Sequence, residues 1–389
     1  MVPPLNLAII GYKFMGKAHS NAYHKAGRFF DLPNELVLKV ACGRHEAGLR
    51  EFADRWEWQE ISTSWESVVS REDIDIVDIS SPTHTHKDVA IAAAQAGKHL
   101  LCEKPLALSV TEARAMYDAV KAAGVRHVIG YNYRRVPAIQ LAKQMIEDGA
   151  IGDIFHWRGT YLQDWIVDPD FPLTWHLQAD KAGYGPHGDL NSHSVDLARF
   201  LVGEINTVQC TFAKFIHERP LPDAAQETAF EAAASEGTGK VTVDDASFMV
   251  AEFENGALGS FEASRFATGR KNYNYFEIYG SQGSLAFNLE RLNELQYFSR
   301  QDPASSQGFR TIMVTESSHP YIAQWWPPGH TIGYEHTFVH QAADLVNSIH
   351  HQTEITPNFL DGLRCCEVLD AAATSAREGR RVTVDRSPA

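Results

Sequence analysis

Cysteine is scarce in this chain. Its 389 residues include five, Cys42, Cys102, Cys210, Cys365 and Cys366, an odd number with no CxxC spacing. That excludes a disulfide framework and the usual paired-thiol metal or redox motifs. Two of them lie inside apolar runs that read as core strands, so reduced thiols in a cytoplasmic setting are expected. Long apolar runs are missing as well: none approaches the roughly 18–20 residues of a membrane-spanning helix. Met1–Tyr12 carries neither a basic leader nor a cleavage site and reads as a strand rather than a signal peptide. An excess of positive charge is also absent, since 35 Lys and Arg face 49 Asp and Glu, for a formal net charge of −14. Nucleic acids and anionic membranes need a basic face that displaces counterions. Neither is an expected partner, and a small substrate fits better.

What is present describes a compact, soluble chain. A composition of 44% hydrophobic and 22% charged residues is that of globular proteins and not of disordered or fibrous ones. The length exceeds what one hydrophobic core sustains, so two domains are expected. From Leu5 to about Val128, short β-branched or apolar runs alternate with alanine-rich helical segments, the pattern of a parallel sheet built from βαβ units. Five strands are predicted, at Leu5–Ile10, Leu36–Cys42, Ile76–Ile79, His99–Cys102 and His127–Gly130, with helices after Gly16, Glu46, Thr85 and Thr111. Thr111 is read as the cap of the last helix.

After Tyr131 the pattern changes. A helix at Pro137–Glu147 leads to longer runs at Ile154–Leu162, Thr207–Ile216, Ala246–Phe253, Ala257–Ala263 and Asn274–Tyr279, several of which alternate as half-buried antiparallel strands do. The expected fold is α/β: a doubly wound parallel sheet of the Rossmann type over residues 1–130, then an α+β domain with a large, open, mostly antiparallel sheet over residues 131–389. A closing helix, Phe359–Arg377, is expected to pack beside that second sheet. Asp223–Gly239 has no useful periodicity and reads as a mobile surface loop.

Strand Leu5–Ile10 runs directly into Gly11-Tyr12-Lys13-Phe14-Met15-Gly16 and then a helical pattern, the context a dinucleotide fingerprint requires. Gly11 serves the tight turn and Gly16 the close packing of helix on strand, but Lys13 replaces the middle glycine. It either narrows the space for a pyrophosphate or turns outward and offers its ammonium to a phosphate oxygen. The acidic residue that commonly ends the second strand is replaced by Cys42-Gly43-Arg44-His45-Glu46. Arg44 either stacks on adenine or pairs with a 2′-phosphate, and Glu46 is an alternative ribose partner. NAD is the expected cofactor, with NADP open.

Two further motifs stand at predicted strand ends, Asp78-Ile79-Ser80-Ser81-Pro82-Thr83-His84-Thr85-His86 and Cys102-Glu103-Lys104-Pro105-Leu106, where they border the cofactor crevice. Later come Tyr131-Asn132-Tyr133-Arg134-Arg135 and Gly188-Asp189-Leu190-Asn191-Ser192-His193-Ser194-Val195-Asp196. In this order, and with the glycine turn, the motifs resemble the glucose-fructose oxidoreductase and inositol dehydrogenase family (Gfo/Idh/MocA) across essentially the whole chain. Phe14–Ser20, Arg158–Trp165 and Gly333-Tyr334-Glu335 resemble its members that act on anhydrosugars and on the 3-position of glycosides. The resemblance implies a pyridine-nucleotide enzyme acting on a sugar, cyclitol or related polyol, and a homodimer or homotetramer joined through the open sheets. It implies cofactor contacts from Gly11, Lys13, Phe14, Met15, Gly16, Arg44, Ser81, Pro82, His84, His86, Glu103 and Lys104.

Oxidising a secondary alcohol moves a hydride to the nicotinamide and a proton to a base. Lys104 is suited to stabilising charge that develops on the alcohol oxygen, and His193 to accepting the proton near neutrality. Asp189 and His193, one helical turn apart, are expected on one face about 40° from each other, where the carboxylate would orient the imidazole. The family's matching positions carry this Lys, Asp and His. Planar polar and aromatic side chains suit a pyranose, and the candidates are Tyr133, Arg134, Gln163, Trp165, Trp175 and Trp326, beside Lys104, Asp189 and His193. His187, Asp189, His193 and Asp196 also admit a metal reading, but their spacing lacks a HExxH-type pattern and hydride transfer needs no metal, so no metal is expected. Two alternatives stay open: a redox-neutral enzyme of the same fold that reduces and reoxidises its bound NAD, and a non-catalytic dinucleotide sensor.

Overall fold

The computed structural model of the chain describes residues 2–222, 234–386 and 388. Six strands, β1 (Leu5–Ile10), β2 (Leu36–Cys42), β3 (Glu60–Ser62), β4 (Ile76–Ile79), β5 (His99–Cys102) and β6 (His127–Ile129), form one sheet in the order β3-β2-β1-β4-β5-β6. Every pairing in it is parallel. This is the doubly wound Rossmann arrangement, whose switch point lies between β1 and β4. Strand β3 has no counterpart in the sequence reading because it is three residues long and only partly buried, too short for any periodicity to register.

The intervening helices are α1 (Phe14–Phe29), α2 (Glu46–Arg55), α3 (Trp65–Val69), α4 (His86–Gln95) and α5 (Val110–Ala123), and α6 (Pro137–Glu147) follows the sheet. Helix α5 is capped by Ser109, whose hydroxyl accepts from the Glu112 backbone N–H, and not by Thr111. Ser109 has the extended backbone a cap requires, whereas Thr111 already lies within the helix.

A second sheet uses β7 (Ile154–Leu162), β8 (Ile205–Ala213), β11 (Ala246–Phe253), β12 (Leu258–Ser264), β13 (Tyr273–Gly280), β14 (Gly283–Asn288), β15 (Glu294–Ser299), β16 (Arg310–Met313) and β17 (Val382–Thr383). Their order is β16-β15-β14-β13-β7-β12-β11-β8-β17. Only β7 and β12 run parallel among the described residues. Strands β9 (Glu218–Pro222) and β10 (Ala234–Lys240) form a separate ribbon. Of the segment read as a loop, residues 223–233 lie outside the described residues, and the remainder forms β10.

Four helices, α7 (Ala179–Ala182), α8 (Pro186–Asp189), α9 (Asn191–Leu201) and α10 (His336–His351), precede the last, α11 (Phe359–Glu378). An Asn358–Asp361 capping box starts α11 and Gly379 in the left-handed conformation stops it. The helix does not pack only beside the second sheet. It lies between α5 and β8, and at Gly362 a Cβ would stand 2.9 Å from side-chain atoms of Ile129 and Leu106. Helix α10 packs on α1 in the same way. One apolar cluster therefore runs from the parallel sheet through these helices to the inner face of the larger sheet. The outer face of that sheet carries Phe155, Phe248, Val250 and Leu258, each about half exposed.

Candidate active site

The cleft between the two sheets holds a cavity of about 830 Å³, bordered by the C-terminal ends of β1, β2, β4 and β5 on one side and by β7, α8 and α9 on the other. At its floor the chain leaves β1 through Gly11 with φ +110°. A Cβ there would lie 2.5 Å from the carbonyl carbon and oxygen of Ser80, and one on Gly16 would lie 2.5 Å from the Gly11 carbonyl oxygen. Both glycines are therefore dictated by close backbone approach. Helix α1 starts here with no side-chain cap, so its positive end opens toward the cleft, as phosphate binding requires. The cradle fits a dinucleotide. Gly11→Val is expected to weaken NAD binding at least about 100-fold, roughly 2.7 kcal/mol, in a calorimetric titration. Unchanged affinity would remove Gly11 from the site.

Lys13 turns its ammonium over the Tyr12 ring, 5.4 Å from the centroid. Phe14, Met15, Arg44, Ser81, Pro82, His84, Glu103 and Lys104 also line the cavity. Glu46 instead pairs with Arg50 at 2.8 Å on an exposed face, so Arg44, not an acid, stands at the β2 end of the cleft. Two residues take other places. Gly16 serves the packing of α1 and does not face the cavity. His86 is buried and bonds through its ring to the carbonyl oxygens of Ser81 (2.9 Å), Pro105 (3.1 Å) and Leu106 (3.2 Å). It straps together the loops after β4 and β5, because a buried imidazole takes partners wherever carbonyls converge.

Beneath those loops lies a polar network that the sequence reading did not assemble. His19 of α1 places Nδ1 2.7 Å from Asp78 and Nε2 3.1 Å from Glu103. Tyr23 donates to Asp78 at 2.6 Å, and the Ser80 hydroxyl donates to Asp78 at 2.8 Å. The backbone N–H of Lys104 donates to Glu103 at 3.2 Å. Burial disfavours charge on His19, but Asp78 and Glu103 overcome it and raise its pKa to about 10, so the group is an imidazolium clamped between two carboxylates.

At the far end of the cleft, Lys104 Nζ donates to Asp189 Oδ1 at 2.5 Å and to its carbonyl at 3.2 Å. Arg265 donates to Asp189 Oδ2 at 2.6 Å. Burial opposes ionisation of Asp189, yet Lys104 and Arg265 hold its carboxyl well below the usual carboxylate range. This corrects the expected Asp189–His193 pair. Asp189 ends α8, a new helix begins at Asn191, and the carboxylate is taken by two cations, which outcompete a neutral imidazole. His193 packs its ring on Tyr133, with centroids 4.4 Å apart, and its Nδ1 is buried without a hydrogen-bond partner among the described residues. Burial, reinforced by Lys104, pushes its pKa well below the usual imidazole range, below the near-neutral value expected from sequence.

A hydrogen-bonded wall closes the site. Trp165 Nε1 donates to Gln163 at 2.8 Å, and Gln163 Nε2 donates to Asn272 Oδ1 at 3.1 Å. Tyr161 donates to the same oxygen at 2.7 Å, and its hydroxyl lies 2.8 Å from that of Tyr133. Trp175 stacks on His176 with centroids 3.7 Å apart, and both line the cavity. Two candidate substrate residues are placed elsewhere. Arg134 is buried in a pair with Asp196 (2.6 Å) and Asp361 (3.0 Å), and it holds α9 and α11 together. Trp326 is 47% exposed and rests edge-on against Phe29 outside the cavity, while neighbouring Trp325 is buried in the core. Of the residues considered as metal ligands, His187 bonds Ser247 and the Leu369 carbonyl and Asp196 pairs with Arg134. Among the described residues no three His, Cys, Asp or Glu converge as a metal site.

The sequence reading missed Tyr161, Arg265, Asn272 and Tyr334, all of which line the cavity. Tyr161 and Tyr334 lay inside segments quoted for the family resemblance. Arg265 and Asn272 stand just outside strand ends, with no local pattern to mark them.

A parallel Rossmann sheet with a phosphate-ready helix end, facing a lysine–aspartate pair across one cleft, defines a dinucleotide-dependent oxidoreductase. Comparison with known proteins agrees. Residues 5–131 match the family model described as oxidoreductase family, NAD-binding Rossmann fold, and residues 139–286 match the GFO/IDH/MocA C-terminal domain. The chain belongs to the Gfo/Idh/MocA family, and its cofactor is NAD. It is 44% identical to a levoglucosan dehydrogenase of Pseudarthrobacter phenanthrenivorans over 98% of both chains. A solved levoglucosan dehydrogenase in complex with NADH and levoglucosan superposes with a TM-score of 0.93 at 43% identity, covering 98% of this chain and 100% of that one. An oxidoreductase domain protein from Kribbella flavida does so with a TM-score of 0.93 at 46% identity, covering 99% of this chain and 100% of that one. No helix among the described residues is long and apolar enough to cross a membrane.

Proposed function

We propose that the protein oxidises a secondary hydroxyl, that at C3, of a sugar, glycoside or anhydrosugar. The observation that carries this reading is the meeting, in one cavity, of Lys104 tethered to Asp189, His193 beside them, and the wall of Tyr133, Tyr161, Gln163 and Asn272. The similarity to levoglucosan dehydrogenase over 98% of both chains supports the substrate class. Bound NAD supplies the hydride acceptor. Lys104 donates to the alcohol oxygen as negative charge develops on it. His193, kept neutral by burial, is in the form that accepts a proton. Tyr133 and Tyr161, whose pKa values burial raises, stay protonated and orient hydroxyl groups. The Trp175–His176 stack offers an apolar surface to the C–H face of a pyranose.

In this reading residues 1–130 carry the cofactor, and residues 131–389 carry the substrate and the contacts of a homodimer or homotetramer. The half-exposed Phe248, Val250 and Leu258 on the open sheet support such a contact, because apolar patches of this kind mark association surfaces. A cytoplasmic location is supported by five buried, unpaired thiols. The test is the near-ultraviolet absorbance of reduced nicotinamide with purified protein, NAD, and a panel of levoglucosan, glucose, glucosides and inositols. Reduced cofactor with an anhydrosugar or glycoside, and a 3-keto product by NMR, is the expected result. Silence across the panel with NAD retained on the protein would overturn net oxidation in favour of redox-neutral chemistry.

A further inference from the structure

Arg265 lines the cavity and is given no task by the proposed chemistry. It directly follows β12, is 1% exposed, and carries its guanidinium 5.1 Å from the Trp165 ring centroid. Its strong contact is Nη2 to Asp189 Oδ2 at 2.6 Å. A longer one reaches the His176 carbonyl at 3.5 Å, and its Nε is buried without a partner among the described residues. An arginine that is buried and incompletely satisfied is a costly way to fill space beside a tryptophan, and an apolar side chain would pack there at less expense. The charge itself is therefore the feature to explain.

Its position explains it. Asp189 has two carboxylate oxygens, and the two cations divide them: Lys104 on Oδ1 at 2.5 Å and Arg265 on Oδ2 at 2.6 Å. With one oxygen anchored to a planar guanidinium fixed by Trp165, the carboxylate plane cannot rotate, and Oδ1 is presented to Lys104 in one direction. The set Lys104, Asp189 and Arg265 also carries one positive charge more than negative, beside the place where an alcohol would become anionic. We propose that Arg265 is a positioning residue: by holding Oδ2 it aims Asp189 at Lys104, and it supplies the surplus positive charge under which the alcohol proton is released. This rests on the charge-stabilising role proposed for Lys104. The other ionisable groups around the set are His176 and His193, both held neutral by burial, and Tyr133, Tyr161 and Tyr334, all pushed upward by burial. Glu103, next to Lys104, is occupied by His19. Lys13, Arg44 and Lys271 also line the cavity, Lys271 pairing with Asp164 at 2.8 Å, and Lys104 and Arg265 are the two cations bonded to Asp189.

The test compares Arg265→Gln and Arg265→Lys with the unmodified enzyme, measuring kcat and KM for the best sugar of the panel across pH, and NAD affinity by titration. Loss of a neighbouring cation makes a proton harder to release, so for Arg265→Gln the pH of half-maximal kcat in the oxidation direction should rise by about one unit. Its kcat at neutral pH should fall about 10- to 100-fold, with sugar KM and NAD affinity within about threefold of the original. Arg265→Lys should recover the original pH profile. An unchanged pH profile with a raised KM would overturn the proposal and make Arg265 a substrate ligand. A fall in kcat with no pH shift and no recovery by lysine would overturn it in favour of packing. If Arg265→Gln alone fails to fold, the Asp189→Asn/Arg265→Gln double variant is compared with Asp189→Asn, since Lys104 lacks its carboxylate partner equally in both. Equal turnover in the two upholds the aiming of Asp189 and overturns the surplus-charge action, and a further loss does the reverse. Lys104→Met decides the underlying reading separately, because wild-type turnover in that variant defeats the role of Lys104 whatever Arg265 does.

Discussion

Lys104→Met is expected to lower kcat by roughly 10²–10³-fold, the cost of removing one donor aimed at a developing oxyanion, while leaving the fold almost as stable as before. The two halves of this expectation come from one geometry. Lys104 is the ammonium at the cavity end of the cleft, 2.5 Å from Asp189, so its loss removes the group that would meet the alcohol oxygen. Asp189 is not abandoned by the change, because Arg265 still holds its second oxygen at 2.6 Å. Truncating one partner of a buried pair is expensive when it strands the other charge, and here it does not. Steady-state kinetics with the best substrate of the panel, set beside a denaturant unfolding curve, check both halves. A variant that keeps wild-type turnover would refute the role of Lys104, and one that loses several kcal/mol of stability would refute the account of how Asp189 is shared.

His19→Leu is expected to show the opposite pattern, with a stability loss of about 3–5 kcal/mol, the range for breaking a buried ion pair by removing one member. The imidazolium lies 2.7 Å from Asp78 and 3.1 Å from Glu103, and both carboxylates are almost fully buried. Tyr23 and Ser80 still bond Asp78 in the variant, but neither carries charge. The same network sets a pH dependence. The folded pKa of His19 is raised from 6.5 to about 10, so its contribution is fully present below about pH 6.5. It declines as pH rises above that value and is lost by about pH 10. Denaturant unfolding of the unmodified protein at neutral pH and near pH 10 should therefore differ by more than that of the variant. Identical alkaline losses in the two proteins would place the titrating group elsewhere.

The parallel sheet was legible because its strands are buried on both faces and its helices are amphipathic, so each element carries its own period. Four of the five predicted strands coincide with observed ones residue for residue, and the fifth ends at Ile129 in place of Gly130. The larger sheet was read less completely. Strands β14 to β16 and helix α10 went unrecognised: near-continuous burial in β14 and in much of α10 leaves no alternation to detect, β16 is only four residues long, and β15 was missed although its burial alternates. The motifs at strand ends were visible for a different reason. A doubly wound fold delivers those ends to one crevice, so linear order is enough to place Gly11, Ser81 and Lys104 together.

Side-chain partners were decided elsewhere. Nothing local distinguishes Arg134, which pairs with Asp196 and Asp361, from Arg265, which reaches Asp189, since each partnership joins residues 62 to 227 positions apart. The helical spacing of Asp189 and His193 pointed to a pair that does not form, because the helix breaks between them and stronger partners arrive from β5 and β12. The sequence by itself determined the class of fold and the cofactor cradle, because backbone sterics and hydrophobic period act over a few residues. Only the tertiary structure decided which charges share a carboxylate, which histidine is an imidazolium and which is neutral, because Coulomb interaction and desolvation depend on what burial brings within a few ångströms.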